Sequence, residues 1–293
     1  MARTEHNIER RRTIRIRRSS LTKNKLESID RPSIKIAETF EEYEQSFRLV
    51  YQEYDSLGYI SRPHPHRLHY SIHTLLPQTC IFLFKEYKTV VSTLTQIADT
   101  ELFGLPMDVL YKDEIDALRD QGRKIVEISA LATPSEKRWH NLLVYLAKAY
   151  FQYANMAGVN DLVIMVNPKH VAFYKAVFMF KEFGEEKMYD AVSAPAVALR
   201  INYDTFWDDM AEAFDTEEDF ETNLYEFFHK VCDTKTPVDK YMRFEEKCEP
   251  LDYGAARYFF SQRPEILRAL TPEQFEYVAR YYHKALFAEG IAI

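Results

Sequence analysis

Glycine is scarce in this chain, with seven among 293 residues, so a glycine-rich phosphate loop has little raw material. Cysteine is scarcer still. Cys80, Cys232 and Cys248 are scattered, odd in number and form no CxxC pair, which favours a reducing cytoplasm and argues against structural zinc. No run of 18 apolar residues occurs and the first residues hold no apolar stretch, so neither a membrane span nor a signal peptide is expected. Basic charge is not in excess: 38 Lys and Arg face 45 Asp and Glu, for a net charge of −7, which excludes a general nucleic-acid binder. What basic charge there is clusters. Residues 1–25 carry nine Lys or Arg against two Glu, leaving −14 on the remainder.

Aromatic and apolar residues are abundant. Hydrophobic content is 46%, and Tyr and Phe number 20 each, enough for a substantial core and an apolar groove. Composition divides the chain into a basic arm (1–31), an α/β body (32–203) and an acidic, helical C-terminal extension (204–293). The arm reads as a solvated tail. Its ERRRTIRIRR run also suits attraction to an acidic protein or weak association with an anionic membrane, and TIRIR alternates like an edge strand.

In the body, Ser33–Ala37 is expected as a first strand. Thr39 and Glu42 have capping-box spacing, predicting a helix to about Leu57 that Gly58 ends. His64, His66, His69 and His73 follow closely, but no carboxylate or thiolate stands beside them, so a loop and helix are expected there and not a metal site. Thr79–Phe84 and Thr89–Ile97 read as an antiparallel hairpin turning near Glu86–Lys88. Phe103–Tyr111 reads as a loop, and Lys112–Gln121 as a helix with Gly122 just past its end. In the extension, helices are expected at Thr216–Val231, Gly254–Ser261 and Thr271–Leu286; the last opens Thr-Pro-Glu-Gln with proline at its first helical position.

The organising stretch is Lys124–Leu199. KIVEISALAT, SEKRWHN, an apolar helical run, DLVIMVNPKHVAFY and VSAPAVALR read as strand, turn, helix, strand, turn, helix, strand. The first two strands, joined through a helix, should be parallel neighbours. A ligand would sit at their carboxyl ends, near the start of that helix.

The order of elements resembles the GNAT acyltransferase fold, a mixed central sheet flanked by helices. EISALA, VNPKHVAFYK and APAVAL are similar to the N-acyl amino acid synthases (FeeM-type), which are related to the acyl-homoserine-lactone synthases. The resemblance covers roughly residues 34–204. It implies an N-acyltransferase with no permanently bound cofactor and no metal. Its acyl donor would be carried on phosphopantetheine, attached to acyl carrier protein or to CoA, and its acceptor would be an amino acid. The histidine-rich segment then borders the acceptor.

Amide formation from a thioester sets three tasks: the amine must lose a proton, the oxyanion needs a donor, and the thiolate must be reprotonated. Glu127 is the base candidate, a carboxylate among apolar strand neighbours whose pKa should be raised; the structural alternative is pairing with Arg123 or Arg138. The resemblance supports an acid at this position. It also marks a departure, because homoserine-lactone synthases carry an arginine where this chain has Ala130. Tyr174 occupies the place where GNAT enzymes often present a tyrosine to the thioester sulfur, and is the acid candidate; otherwise it is a core tyrosine. The oxyanion and pantetheine arm would be held by backbone amides of Ile128, Ser129, Ala130 and Leu131, where the family's strands splay. Asn167 is expected as a helix N-cap at the same entrance, with His170 on the helix surface. Ser135–Asn141 occupies the phosphate-binding turn but contains no glycine. Lys137, Arg138 and Asn141 would serve one phosphate better than a pyrophosphate, which favours carrier protein over CoA.

Phe82, Phe84, Phe173, Phe178 and the APAVAL strand are candidates for the tunnel wall or simply core. Glu127 and Tyr174 are expected at the two lips of one opening, on one side of the sheet. The other readings are a homoserine-lactone synthase, a CoA-dependent N-acetyltransferase, and a non-catalytic module that binds acyl carrier protein or lipid. Self-association is one use for the apolar stripes of the extension.

Overall fold

The computed structural model describes residues 29–60, 63–140, 142–214, 223–229 and 249–287, with backbone alone at 138–140. The expectations for the basic arm and for residues 216–222 lie outside the described residues. Eight strands form one mixed sheet in the order β1-β2-β3-β4-β5-β8-β6, with β7 paired to β8. The strands are β1 (Pro32–Ile36), β2 (Cys80–Glu86), β3 (Thr89–Ala98), β4 (Ile125–Ala132), β5 (Asp161–Val166), β6 (Lys181–Glu182), β7 (Lys187–Tyr189) and β8 (Ala194–Asn202). Among the described residues only β4 and β5 are parallel, and every other pairing is antiparallel.

Ten α-helices are described. They are α1 (Phe40–Ser56), α2 (Ile72–Leu75), α3 (Asp108–Arg119), α4 (Leu142–Met156), α5 (Pro168–Phe178), α6 (Tyr203–Phe214), α7 (Leu224–His229), α8 (Tyr253–Gln262), α9 (Glu265–Arg268) and α10 (Pro272–Leu286). Local chemistry sets their ends. Thr39 and Glu42 close a capping box on α1, and Thr271 with Gln274 does the same for α10, which has proline in its first turn. Asn167 caps α5 by accepting from the Lys169 amide. Where a loop is expected to run to Tyr111, α3 already begins at Asp108, because Pro106 closes the extended segment and the Asp108 carboxylate accepts from the Leu105 amide.

The sheet is buried on both faces. On one lie α4, α5, α6 and α7, packed on Phe82, Leu94, Val126, Ile128, Leu162 and Ile164. Phe151 of α4 sits at the centre, with ring centroids 5.0 Å from Phe206 and 5.3 Å from Phe228. On the other face, α1 and α8–α10 pack on Ile81 and Leu83, while α3 covers Ile97, Ile125 and Val163. The acidic extension is thus split between the faces. Its second half is tied back over a long sequence distance: Tyr282 donates to the Leu75 carbonyl at 2.6 Å and Tyr70 to the Phe259 carbonyl at 2.8 Å.

Candidate active site

The parallel pair is incomplete. Register runs from Ile125 opposite Asp161 to Ile128 opposite Ile164 and stops, although β4 continues to Ala132 and β5 to Val166. Past that point β4 also bulges against β3: Thr95 faces Ser129 and Thr93 faces Ala132, so Ala130 and Leu131 together oppose Leu94. Ala130 has φ +49°, a left-handed conformation that costs a non-glycine residue about 1 kcal/mol or more. The bulge turns β4 away from β5 and opens a gap in the sheet at the carboxyl ends of both strands.

Behind the gap, on the α4/α5 face, is a small, wholly apolar pocket with about 20 Å³ of interior room. Ile128 and Leu131 contribute from the bulged strand, Leu162 and Ile164 from β5, Ala147 and Phe151 from α4, and Tyr174 and Phe178 from α5. Of the proposed tunnel residues, Phe178 lines this space. Phe82 and Phe84 are sealed in the core, Phe173 is at the surface, and no residue of the APAVAL strand lines the pocket.

Glu127 lies on the other face. Its strand parity aligns it with Ile97 and Val163 beneath α3, and it is 2% exposed. Arg123 is not its partner among the described residues, since it binds Asp161 and Asp204 instead. One Glu127 oxygen accepts from the Met107 amide at 2.8 Å. Burial pushes the carboxyl up to about 8; the Met107 hydrogen bond opposes this and the nearby Asp108 charge adds to it. The carboxyl is therefore protonated through neutrality and becomes a base as pH rises through about 8.

Tyr174 belongs to the pocket face, so the two candidates do not share a side of the sheet, contrary to expectation. Before the bulge, odd positions on β4 point towards α3, whereas even positions face α5. They approach each other only through the gap. Tyr54, at the end of α1, lies within electrostatic reach of both: its own phenol, pushed up to about 12 by burial, senses Glu127 and raises that of Tyr174. Tyr54 packs on Tyr59 and His69, with ring centroids 5.8 and 4.8 Å away, and His69 is held neutral by burial and by Arg263, down to about 4. Tyr189 on β7 also senses Glu127. Sequence reasoning missed Tyr54, Tyr189 and Met107. Tyr54 carries no signal beyond its place on a helix, and Met107 acts through its backbone.

Burial raises the Tyr174 phenol above its ordinary value, with Tyr54 as the lesser cause. Complete proton transfer to a thiolate, whose conjugate acid has a pKa near 8.5, is then uphill. Tyr174 is suited to donate a hydrogen bond to sulfur, and among the described residues its hydroxyl has no partner to compete. Loss of one such charge-assisted bond is worth about 1.5–3 kcal/mol, so Tyr174→Phe is expected to lower kcat about ten- to a hundredfold in a steady-state assay.

The turn after β4 is a short 3-10 helix, Ser135–His140, leading into α4. Lys137 is engaged by Glu86 at 2.6 Å, so it does not stand free for a phosphate. The Arg138 side chain and Asn141 lie outside the described residues. Asn167 caps α5, and His170 is exposed on that helix. Among the described residues no group of three His, Cys, Asp or Glu could hold a metal ion, and no helix is long and apolar enough to cross a membrane. His73 instead contacts the Phe103 carbonyl at 3.1 Å.

A family model described as N-acyl amino acid synthase FeeM matches residues 45–202, more than half of the chain and the whole of the split-strand region. The chain belongs to the FeeM family. It is an N-acyltransferase with a GNAT-like fold. The solved FeeM structure, an N-acyl amino acid synthase from uncultured soil microbes, superposes with a TM-score of 0.54 at 24% identity, over 61% of this chain and 95% of that one. That likeness speaks for the fold, and the family match for the class of activity. The CoA-dependent acyl-homoserine lactone synthase BjaI, solved with MTA, gives 0.48 at 14% identity over 64% and 91%. An acyl-CoA N-acyltransferase from Pseudomonas aeruginosa gives 0.41 at 16% over 59% and 99%. No curated protein matches the chain. The FeeM match stops at residue 202, just before α6, so α6–α10, which add to both faces, lie beyond it.

Proposed function

We propose that this FeeM-family chain moves a long-chain acyl group from an acyl carrier protein thioester to the α-amine of an amino acid. The observation that carries the reading is the gap between β4 and β5, with a buried carboxyl on one side and a purely apolar pocket on the other. The acyl chain lies in the pocket and the thioester carbonyl in the gap. The amine arrives from the Glu127 face.

The α-ammonium of a free amino acid is a weaker acid than a peptide N-terminus, so passing its proton to a carboxylate that titrates at about 8, directly or through a water, is modestly uphill and far easier than passing it to an ordinary glutamate. The free amine adds to the carbonyl carbon. The oxyanion is met by amides that the Ser129–Leu131 bulge leaves off the β5 ladder. As the carbon–sulfur bond breaks, Tyr174 donates a hydrogen bond to the leaving thiolate. The nitrogen loses a second proton as the amide forms; one of the two protons reaches sulfur and the other leaves to solvent, giving amide and free thiol.

The glycine-free turn at Ser135–Asn141 supports a carrier-bound phosphopantetheine, which presents one phosphate where CoA presents a pyrophosphate. Three scattered cysteines suit work in the cytoplasm. The test is mass spectrometry of reactions containing the purified enzyme, amino acids, and matched acyl-carrier or acyl-CoA donors. N-acyl amino acids with higher kcat/KM from the carrier donor are expected. Products formed only from CoA would overturn the donor, and no amide from either would overturn the reading. Each buried methylene contributes about 0.8 kcal/mol. Ala147→Phe, which takes room from the pocket wall, should therefore shift the preferred acyl chain by two or more carbons, with at least tenfold loss on the longest donor.

A further inference from the structure

The segment that reaches Glu127 is the turn between β3 and α3, and it is held from three directions. His73 of α2 contacts the Phe103 carbonyl at 3.1 Å, and Gln274 of α10 donates to the Leu102 carbonyl at 2.9 Å. The third hold is Arg119 at the far end of α3. Its guanidinium forks onto both oxygens of Asp99 at 2.8 and 2.7 Å, and reaches Asp116 and Asp108 at 2.7 Å each. The same Asp108 oxygen that meets Arg119 accepts from the Leu105 amide at 2.9 Å, closing the turn whose Met107 amide points at Glu127. Gly104 fits against it with φ +60°; a Cβ there would stand 2.2 Å from that oxygen. The other Asp108 oxygen is buried and takes no hydrogen bond.

We infer that Arg119 is a positioning residue for Glu127: by fixing Asp108 it keeps the Met107 N–H on the carboxylate and neutralises the one acidic neighbour that faces it. The inference rests on the reading of Glu127 as the base, and gives that site an adjustable proton affinity. The groups that face Glu127 are Asp108 from α3, Tyr54 from α1 and Tyr189 from β7, and His73 of α2 faces Asp108 in turn. Arg119 is the cation that Asp108 binds among the described residues.

The experiment follows the Glu127 carboxyl in the full-length enzyme labelled with carboxyl-13C glutamate, its resonance assigned by its loss in Glu127→Gln, alongside the pH dependence of kcat/KM. Arg119→Gln both unscreens Asp108 and loosens the turn, so the Glu127 midpoint should rise by about one unit, with tenfold lower kcat/KM below it. Arg119→Lys, which keeps the charge without the fork, should recover part of the shift. Asp108→Asn keeps the turn's acceptor while removing the charge, and should lower the midpoint even if Arg119→Gln fails to fold. A midpoint unchanged in folded Arg119→Gln, or unchanged in Asp108→Asn, overturns the inference. If the rate limb follows Glu127 but neither substitution moves it, positioning fails and the base stands. If the resonance moves as expected and the rate limb ignores it, the base assignment fails and Arg119 still positions the carboxyl.

Discussion

Replacing Glu127 with glutamine is expected to lower kcat by 10²–10⁴-fold, the usual contribution of a positioned base, and to abolish a rate limb that rises with pH through about 8. The same substitution should stabilise the protein at high pH. An unfolded glutamate titrates near 4.3, so between about 4.3 and 8 the folded state holds a proton that the unfolded state has released. Stability from this group is full below the lower value, and is lost as pH rises through the upper one. The loss amounts to several kcal/mol, because a 2% exposed carboxylate finds one amide donor and no cation among the described residues. Glutamine keeps an acceptor for the Met107 amide and cannot ionise. Thermal melts should thus match wild type near pH 4, and exceed it by several degrees at pH 9. A variant with full activity, or one that melts below wild type at both pH values, would remove Glu127 from this role.

Asp161→Ala should be the most destabilising single change at the opposite end of the same strands. Asp161 is fully buried at the start of β5. It binds Arg123 through one oxygen and Arg200 of β8 through the other, at 2.7 Å from the Arg200 Nε. The carboxylate clamps three strands at the end away from the gap. Arg123 keeps Asp204 at 2.8 Å, but Arg200, a quarter exposed beside the Phe183 ring, loses its ion-pair partner. Breaking a buried pair from one side costs about 3–5 kcal/mol. A melting temperature lower by roughly ten degrees is expected by calorimetry. Asp161→Asn should lie between, since it keeps the shape of the acceptor. A loss below about 1 kcal/mol would show that the two arginines are adequately solvated without it.

Local signals were enough for much of the body. The Thr39 capping box, the Thr271-Pro272 and Asn167-Pro168 helix starts, the hairpin and the β4–α4–β5 crossover all depend on neighbours within a few residues, and all are found where the sequence places them. Glu127 was legible because its apolar flanks force it under cover. What set its environment was not: the Met107 amide is 20 residues away and carries no side-chain signal. The bulge was hidden for a related reason. Glycine would have advertised a left-handed residue, whereas Ala130 adopts one because the surrounding sheet imposes it. Helices in the extension were visible in apolar stripes, yet a stripe says that a face is buried and not against which side of a sheet. Facing was also where the Glu127–Tyr174 expectation failed, since the two elements that carry them were read separately.

The wrapping of the last helices over α1 and β2 has a consequence for how the molecule is made. Tyr282 meets the Leu75 carbonyl 207 positions upstream, so that closure waits until α10 has left the ribosome. A nascent chain ending at residue 250 presents Ile81, Leu83 and Phe47 without α8–α10 over them, an adhesive surface in a crowded cell. Closure of that face is therefore a late step, made when α10 is free to reach back to α2.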